Sequence, residues 1–188
     1  MNKTFAALAL AGLFALPAVS HADDSNGWFI NGGVGQSTYN QGYYNKHDTG
    51  YQLNGGYRWA VAPSLLLGVE GGYTDLGKFD PSVQGIGASN TRVHGYTLGG
   101  DAHFNLTSNW YLSGRGGYYR WNGKTTTPVA GVPMAFDGHG NGWYGGAGFG
   151  YDFNNNMSVG LNYDYYHASK STTSLTSHLI SVSAEYRF

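Results

Sequence analysis

The chain has 188 residues, of which ten are basic and eleven acidic, so its formal net charge is −1. Only 11% of the residues are charged, and there is no cysteine. This composition excludes a disulfide scaffold, and it argues against nucleic acid or a strongly anionic surface as the partner of the whole chain.

The N-terminal segment MNKTFAALALAGLFALPAVSHA has the features of a signal peptide. A basic residue, Lys3, precedes an apolar run from Phe5 to Val19, and Ser20-His21-Ala22 resembles a small-residue cleavage site. The run is too short to make a good transmembrane helix. We therefore predict a signal peptide over residues 1–22, cleaved at its end, and a single domain over residues 23–188.

The rest of the chain alternates between apolar and other residues with a period of two, which indicates β-strands. In the last segment Ile180, Val182, Ala184, Tyr186 and Phe188 share one face. Each alternating segment is close to the ~9–11 residues that a tilted strand needs to cross a bilayer. In chain order the eight segments are GWFINGGVGQS, GYQLNGGYRWA, LLLGVEGGYT, GYTLGGDAHFNL, NWYLSGRGGYYR, GWYGGAGFGYDF, MSVGLNYDYYH and ISVSAEYRF.

The connections between these segments alternate in length. We predict tight turns at residues 61–63, 107–109 and 154–156, and long polar loops at residues 38–49, 75–91, 122–141 and 167–176. Short turns on one side and long loops on the other are typical of outer-membrane barrels. An even number of strands places both chain ends on the short-turn side, which is the periplasmic side.

The chemistry of the two faces indicates a barrel in lipid. Opposite the apolar face lie glycines and polar residues, such as Gln52 and Asn54 in the second segment and Asp101 and His103 in the fourth. A water-soluble barrel needs apolar residues inside, whereas a polar interior and an apolar exterior suit a closed sheet in lipid. We therefore predict an all-β fold, an eight-stranded antiparallel up-and-down transmembrane β-barrel. The alternative is a β-sandwich with ordinary core aromatics.

Aromatic residues on the apolar face fall near the two ends of the predicted strands. Such amphipathic rings favour the two membrane–water interfaces. The periplasmic girdle is predicted to contain Trp28, Trp59 and Trp110, and the outer girdle Tyr73, Tyr96, Tyr118 and Trp143.

Four segments carry a resemblance to the OmpA-type and small surface-antigen barrels of Gram-negative bacteria: GWFINGGVGQS, LLLGVEGGYTDLG, GYTLGGDAHFNLTSNWYLSGRGGYYRW and HLISVSAEYRF. The resemblance implies a monomeric protein of the outer membrane, with membrane lipid and lipopolysaccharide around it. It also implies that Phe188, with Tyr186 before it, forms the signal that the barrel-assembly machinery reads.

Seven charged residues are predicted to face the lumen, and we name them the lumen charge network. Three are basic and four are acidic: Arg58, Arg115 and Arg187, with Glu70, Asp101, Asp164 and Glu185. An eight-stranded barrel is just wide enough to be filled by side chains, so paired charges would plug it. Counting from the turn at Ser108 places Asp101 opposite Arg115, and we expect these two to interact. A small-solute channel with a movable plug is the alternative.

Catalysis and metal binding have little support in the sequence. His167 and Ser169 share one face and faintly resemble the His-x-Ser of outer-membrane lipid A deacylases, but the flanking asparagine and an acidic partner are missing. The five histidines near the predicted outer loops have no spacing typical of a metal site. We predict no enzyme activity and no cofactor.

The predicted function is a structural or surface-binding role through four extracellular loops. Aromatic and apolar residues in those loops suggest contact with lipopolysaccharide or a host surface. The predicted alternatives are a porin-like channel and, less favoured, a lipid A-modifying enzyme.

Overall fold

The computed structural model of the chain describes residues 26–41, 44–79, 90–129, 132–154, 156–170 and 173–188. The predicted signal peptide lies outside these residues. The described residues contain no helix long and apolar enough to cross a membrane.

Eight antiparallel strands form a closed barrel in which each strand pairs with its neighbours along the chain and β1 pairs with β8. This confirms the predicted fold class. The strands are β1 (Gly27–Gln41), β2 (Tyr44–Ala62), β3 (Leu65–Phe79), β4 (Asn90–Asn105), β5 (Trp110–Val129), β6 (Val132–Asp152), β7 (Met157–Lys170) and β8 (Thr173–Arg187).

The turns at the periplasmic end are short and are held by side chains. Thr107 Oγ1 accepts hydrogen bonds from the backbone N–H groups of Asn109 and Trp110, at 3.3 and 3.1 Å. Asn154 Oδ1 does the same for Asn156 and Met157, at 2.9 and 2.8 Å. Thr and Asn favour such turns because their side chains replace missing backbone partners.

The predicted long outer loops are wrong in extent, because strands continue through most of them. β1 and β2 run through much of residues 38–49, β5 and β6 reach Val129 and Val132, and β7 and β8 reach Lys170 and Thr173. Strands β5 and β6 have 20 and 21 residues, about twice what a membrane crossing needs. Of the predicted loop 75–91, residues 80–89 lie outside the described residues.

The strands extend outward because the polarity of their two faces reverses beyond the outer girdle. Inside the membrane the inward face carries polar residues and glycines, while beyond the girdle it carries buried apolar side chains such as Leu76, Val93 and Trp121. On the outward face, lipid-facing Leu and Val give way to polar residues such as Thr49 and Arg120, which are exposed. The membrane part of the barrel therefore exposes apolar side chains to lipid, and the part beyond the girdle exposes polar side chains to water.

We name the water-facing part the outer crown, and it comprises residues 36–49, 75–94, 120–142 and 167–178 so far as they are described. Its core is a single cluster of buried side chains inside the barrel, which also reaches down to the level of the girdle. The cluster consists of Leu76, Val93, Tyr119, Trp121, Tyr144, Tyr166, Ala168 and Leu179. The inward face is therefore polar within the membrane and apolar in the outer crown.

Candidate functional site

The seven residues of the lumen charge network all belong to the inward-facing side of the barrel. Five of them are at least nine-tenths buried: Arg58, Glu70, Asp101, Asp164 and Glu185. Charges buried in this way are tolerable only when they are paired and hydrogen-bonded. The pairing of these charges therefore determines whether their side chains can fill the lumen.

Arg58 on β2 joins two carboxylates from different strands. Its Nε donates to Asp101 Oδ2, and its two terminal nitrogens donate to the carboxylate of Glu185, with Nη2 to Oε2 at 3.1 Å. The guanidinium also lies 3.9 Å from the ring centroid of Phe29. A planar fork of donors suits this arrangement, which a lysine could not reproduce.

Arg115 on β5 pairs with Asp164 on β7. Nε donates to Asp164 Oδ1 at 2.7 Å, and Nη2 donates to Asp164 Oδ2 and to Gln52 Oε1. With the Asn54 amide oriented by this network, its oxygen accepts from Nη1 at 2.6 Å. Arg115 thus links three strands across the lumen.

The expected Asp101–Arg115 ion pair is wrong, although the predicted register is confirmed. The two residues are direct partners across β4 and β5. The Arg115 side chain instead reaches over Gly146 of β6 to Asp164 in the same cross-strand row. Asp101 pairs in the same way with Arg58, over Gly68 of β3. Both ion pairs thus join a strand to the next but one, over a glycine that has no side chain in between, and they replace the pair between directly neighbouring strands.

Glu70 differs from the other lumen carboxylates because its hydrogen bond comes from a tyrosine. The hydroxyl of Tyr144 donates to Glu70 Oε1 at 2.8 Å. Tyr144 stacks on Tyr166, which in turn contacts Tyr119, with ring centroids 6.1 and 5.1 Å apart. This layer of tyrosines joins the charged part of the lumen to the apolar core of the outer crown.

At the periplasmic end, Arg187 organises a cluster that includes a residue missed by the sequence analysis. Its Nη2 donates to Asp152 Oδ1 at 3.0 Å, and its Nε to Glu185 Oε1 at 3.1 Å. His103 lies 3.4 Å from the Asp152 carboxylate and stacks on Tyr111. Asp152 could have been found, because it alternates with the outward-facing Tyr151 and Phe153.

Little open space is left between these side chains in the charged part of the lumen. A cavity of about 30 Å³ lies among Arg58, Glu70, Asp101, Arg115 and Glu185. That volume holds one or two water molecules, not a solute. Among the described residues, no group of three or more His, Asp or Glu side chains is arranged to hold a metal ion.

The residues of the two predicted aromatic girdles lie on the outward face of the barrel. The exposed ones are Trp28, Trp59, Trp110, Trp143, Tyr96 and Tyr118, and Tyr73 is half-buried. Tyr73 and Tyr96 are cross-strand partners whose rings meet edge to face at 5.5 Å. Such pairs add stability to the sheet beyond area burial.

The two residues of the expected assembly signal lie beside the closing seam of the barrel. The backbone N–H of Phe188 donates to the carbonyl of Trp28 at 2.9 Å, although β8 itself ends at Arg187. The Phe188 ring meets the Tyr186 ring edge to face at 5.0 Å. The terminal aromatic is therefore accessible from lipid and attached to the first strand.

Deleting Phe188 should lower the amount of folded barrel in the outer membrane and leave export intact. The deletion removes one seam hydrogen bond, a small loss for folding itself, so the main effect should be on assembly. The measurement is the heat-modifiable band of the outer-membrane fraction on gels. Phe188→Tyr keeps an aromatic terminus and is the control. A normal level of folded protein after the deletion would contradict the assembly role.

His167 has the surroundings of an interface aromatic. Its ring lies 5.7 Å from that of Trp143 and 6.5 Å from that of Tyr165. The side chain of Ser169 lies outside the described residues.

Comparison with known proteins places this barrel in a family. The model of the outer membrane protein beta-barrel domain matches residues 6–188. The chain belongs to this outer-membrane barrel family. The predicted location in the outer membrane is thereby confirmed, as is the resemblance to outer-membrane barrels.

Solved members of the outer-membrane barrel class share the fold at low sequence identity. Ail, the attachment invasion locus protein of Yersinia pestis, has a TM-score of 0.60 at 20% identity, covering 87% of this chain and 99% of Ail. A second structure of Ail, in complex with the heparin analogue sucrose octasulfate, gives 0.59 at 18%, with coverages of 87% and 99%. Neisserial surface protein A gives 0.57 at 15%, with coverages of 86% and 97%. No curated protein sequence matches the chain.

Proposed function

We propose that this outer-membrane barrel is a surface-binding protein that recognises polyanionic ligands through its outer crown, and that it has no channel and no catalytic function. The observation that carries the ligand class is the position of the lysines. Apart from Lys3 in the predicted signal peptide, all lysines lie in the outer crown, one on each outer hairpin: Lys46, Lys78, Lys124 and Lys170.

Although the chain is nearly neutral, basic residues predominate in the outer crown and acidic residues in the lumen, and this distribution supports the proposed function. With Arg92 and Arg120, the described part of the outer crown has six basic residues against three acidic ones, Asp48, Asp75 and Asp137. Once Asp152 is included, the lumen has three basic residues against five acidic ones. The surface that faces the outside is therefore net positive, and a positive surface attracts and orients anionic ligands.

The sulfated ligand of a structural neighbour supports the same ligand class. Ail has been solved with a heparin analogue that carries many sulfate groups. A sulfated glycan would meet lysines on four sides of the outer crown, so that several weak contacts act together.

Binding of a heparin-type polysulfate to the purified barrel should be salt-dependent and should depend on the four lysines. We expect the quadruple variant Lys46→Gln, Lys78→Gln, Lys124→Gln, Lys170→Gln to lose affinity at least about tenfold, because four charges leave the ligand's surroundings. Titration calorimetry in detergent measures this, with an unsulfated polysaccharide of equal length as the control ligand. Unchanged affinity in the quadruple variant would sink the proposal.

The same barrel should show no stepwise conductance in planar bilayers, because Arg58, Arg115 and the tyrosine layer fill the lumen. The matched control is Arg115→Ala, which shortens the main cross-lumen side chain. Steady current through the unaltered protein would favour the channel instead.

A further inference from the structure

The lipid-facing side of β4, β5 and β6 has a groove, formed where two adjacent rows of the sheet lack large side chains. In one row Gly100, Gly116 and Gly145 are direct cross-strand partners, and in the next row Ala102, Gly114 and Ala147 are. The three strands span ~10 Å. The groove therefore runs over the middle of the membrane-facing sheet.

Large side chains form a rim on all four sides of this groove. The outer rim is the row Leu98–Tyr118–Trp143, and the periplasmic rim is the row Phe104–Leu112–Phe149. The side chains of both rims are between 42 and 67% exposed. Leu67 and Val69 on β3 flank it on one side, and Tyr163 and Tyr165 on β7 on the other. Six residues separate the two rim rows, a distance of ~20 Å.

Crowding by the rest of the barrel explains little of why the groove lacks larger side chains. At Gly100, Gly114 and Gly145 an added Cβ would have its nearest neighbour at 3.4, 4.0 and 3.8 Å, which is ordinary contact, whereas at Gly116 it would lie 3.3 Å from the backbone oxygen of Tyr144. A Cβ at the inward-facing Gly99 or Gly117 would instead collide with the backbone of the neighbouring strand. Glycine weakens a strand, and in a strand it often marks the close approach of a ligand.

A free cation lies at the outer end of the groove. Arg120 follows Tyr118 on the same outward face of β5, and it is exposed between Tyr96 and Asn141 on the neighbouring strands. In the part of the chain that the structure describes, its guanidinium has no hydrogen bond or ion pair, whereas that of Arg92 is bound by Asp75. Arg120 lies at the outer girdle, where lipid headgroups begin.

We propose that this groove binds one phosphorylated glycolipid of the outer leaflet, with acyl chains lying over the glycine rows and a phosphate bound by Arg120. Acyl chains are narrow enough to lie in a groove as deep as one side chain. A phosphate group can accept hydrogen bonds from the guanidinium of Arg120. A second copy of the barrel is a poor occupant. Two such grooves face to face would meet at their rims, and in lipid the hydrophobic effect does not drive association. The groove lies on the membrane-facing sheet and shares Arg120, but none of the four lysines, with the outer crown. The lysine variant therefore tests polyanion binding without altering the groove.

Native mass spectrometry of the barrel in phosphatidylcholine nanodiscs doped with bisphosphorylated lipid A tests the site. We expect the unaltered protein to retain one lipid A molecule, and to retain dephosphorylated lipid A about tenfold less well. Gly114→Leu fills the groove where space is open, and Arg120→Gln removes the cation. Each should reduce retention about tenfold. Gly55→Leu is the matched control, because Gly55 faces lipid on β2 with its nearest neighbour at 3.4 Å from an added Cβ.

Each outcome decides the question. Reduced retention in both variants, with Gly55→Leu unchanged and all proteins folded by heat modifiability, supports the site. Full retention by Gly114→Leu overturns it, and so does an equal loss in Gly55→Leu. Loss in Arg120→Gln alone also overturns it, since the lipid would then bind by its headgroup only. A dimer of the unaltered protein that Gly114→Leu dissociates would overturn it in favour of a second copy.

Discussion

Replacing Arg115 by methionine should lower the free energy of unfolding in lipid vesicles by ~3–5 kcal/mol, because it leaves a buried carboxylate without its partner. Asp164 is fully buried and receives two hydrogen bonds from Arg115. Gln52 and Asn54 each lose one donor as well, although Gln52 keeps the hydroxyl of Tyr166. Methionine keeps most of the side-chain volume, so the loss reports on charge more than on a cavity. Urea unfolding followed by tryptophan fluorescence measures it.

The partner of Arg115 can be identified by two second-site changes. Adding Asp164→Asn to Arg115→Met should recover much of the loss, since the stranded charge is removed. Adding Asp101→Asn should not, because Asp101 pairs with Arg58, and its neutralisation would leave that guanidinium with one carboxylate instead of two. If Asp101→Asn rescued as well as Asp164→Asn, the Arg115–Asp164 pairing would be wrong, and Arg115 would interact with its direct neighbour Asp101 after all.

Arg115 shows what a single sequence can predict about a barrel: its cross-strand neighbour Asp101 was predicted correctly, whereas its ion-pair partner Asp164 was not. Alternation at period two and a tight turn centred near Ser108 were enough to place Asp101 opposite Arg115, and the structure has that register. The Arg115–Asp164 pair depends in addition on the register between β5 and β6, because Arg115, Gly146 and Asp164 lie in one cross-strand row. The β5–β6 register is set at a connection predicted as a long loop over residues 122–141, which offers no tight turn to count from. The pair also needs Gly146, since a Cβ there would collide with Asp164 Oδ1.

The outer crown was missed for a different reason. Segments such as TRVHG keep the two-residue period, with Val93 inward and Arg92 and His94 outward. Their polarity is opposite to that of the membrane strands. A search for apolar-out alternation therefore assigns them to loops. The reversal itself is the signal: a barrel that continues into water needs an apolar core and a polar exterior, and Trp121, Tyr119 and Leu179 supply that core.

Placing an arginine at Leu161 should cost ~2–4 kcal/mol of folding free energy in lipid, whereas the same residue at Thr49 should cost almost nothing. Both side chains are outward and exposed, Leu161 on β7 and Thr49 on β2. Leu161 faces Val182 across the seam with β8, midway between the two ends of the membrane-spanning part of the strand. Its substitution would place a charge in hydrocarbon.

Thr49 lies in the outer crown, where the outward face meets water, so its substitution adds a charge to a surface that is already polar. Urea unfolding of both variants in vesicles of one lipid composition gives the comparison directly. The barrel itself is unchanged between the two, so the difference reports only where lipid ends and water begins on the outward face. Equal costs at the two positions would mean that the polarity reversal does not mark the membrane boundary, and that the strands β5 and β6 do not project beyond it.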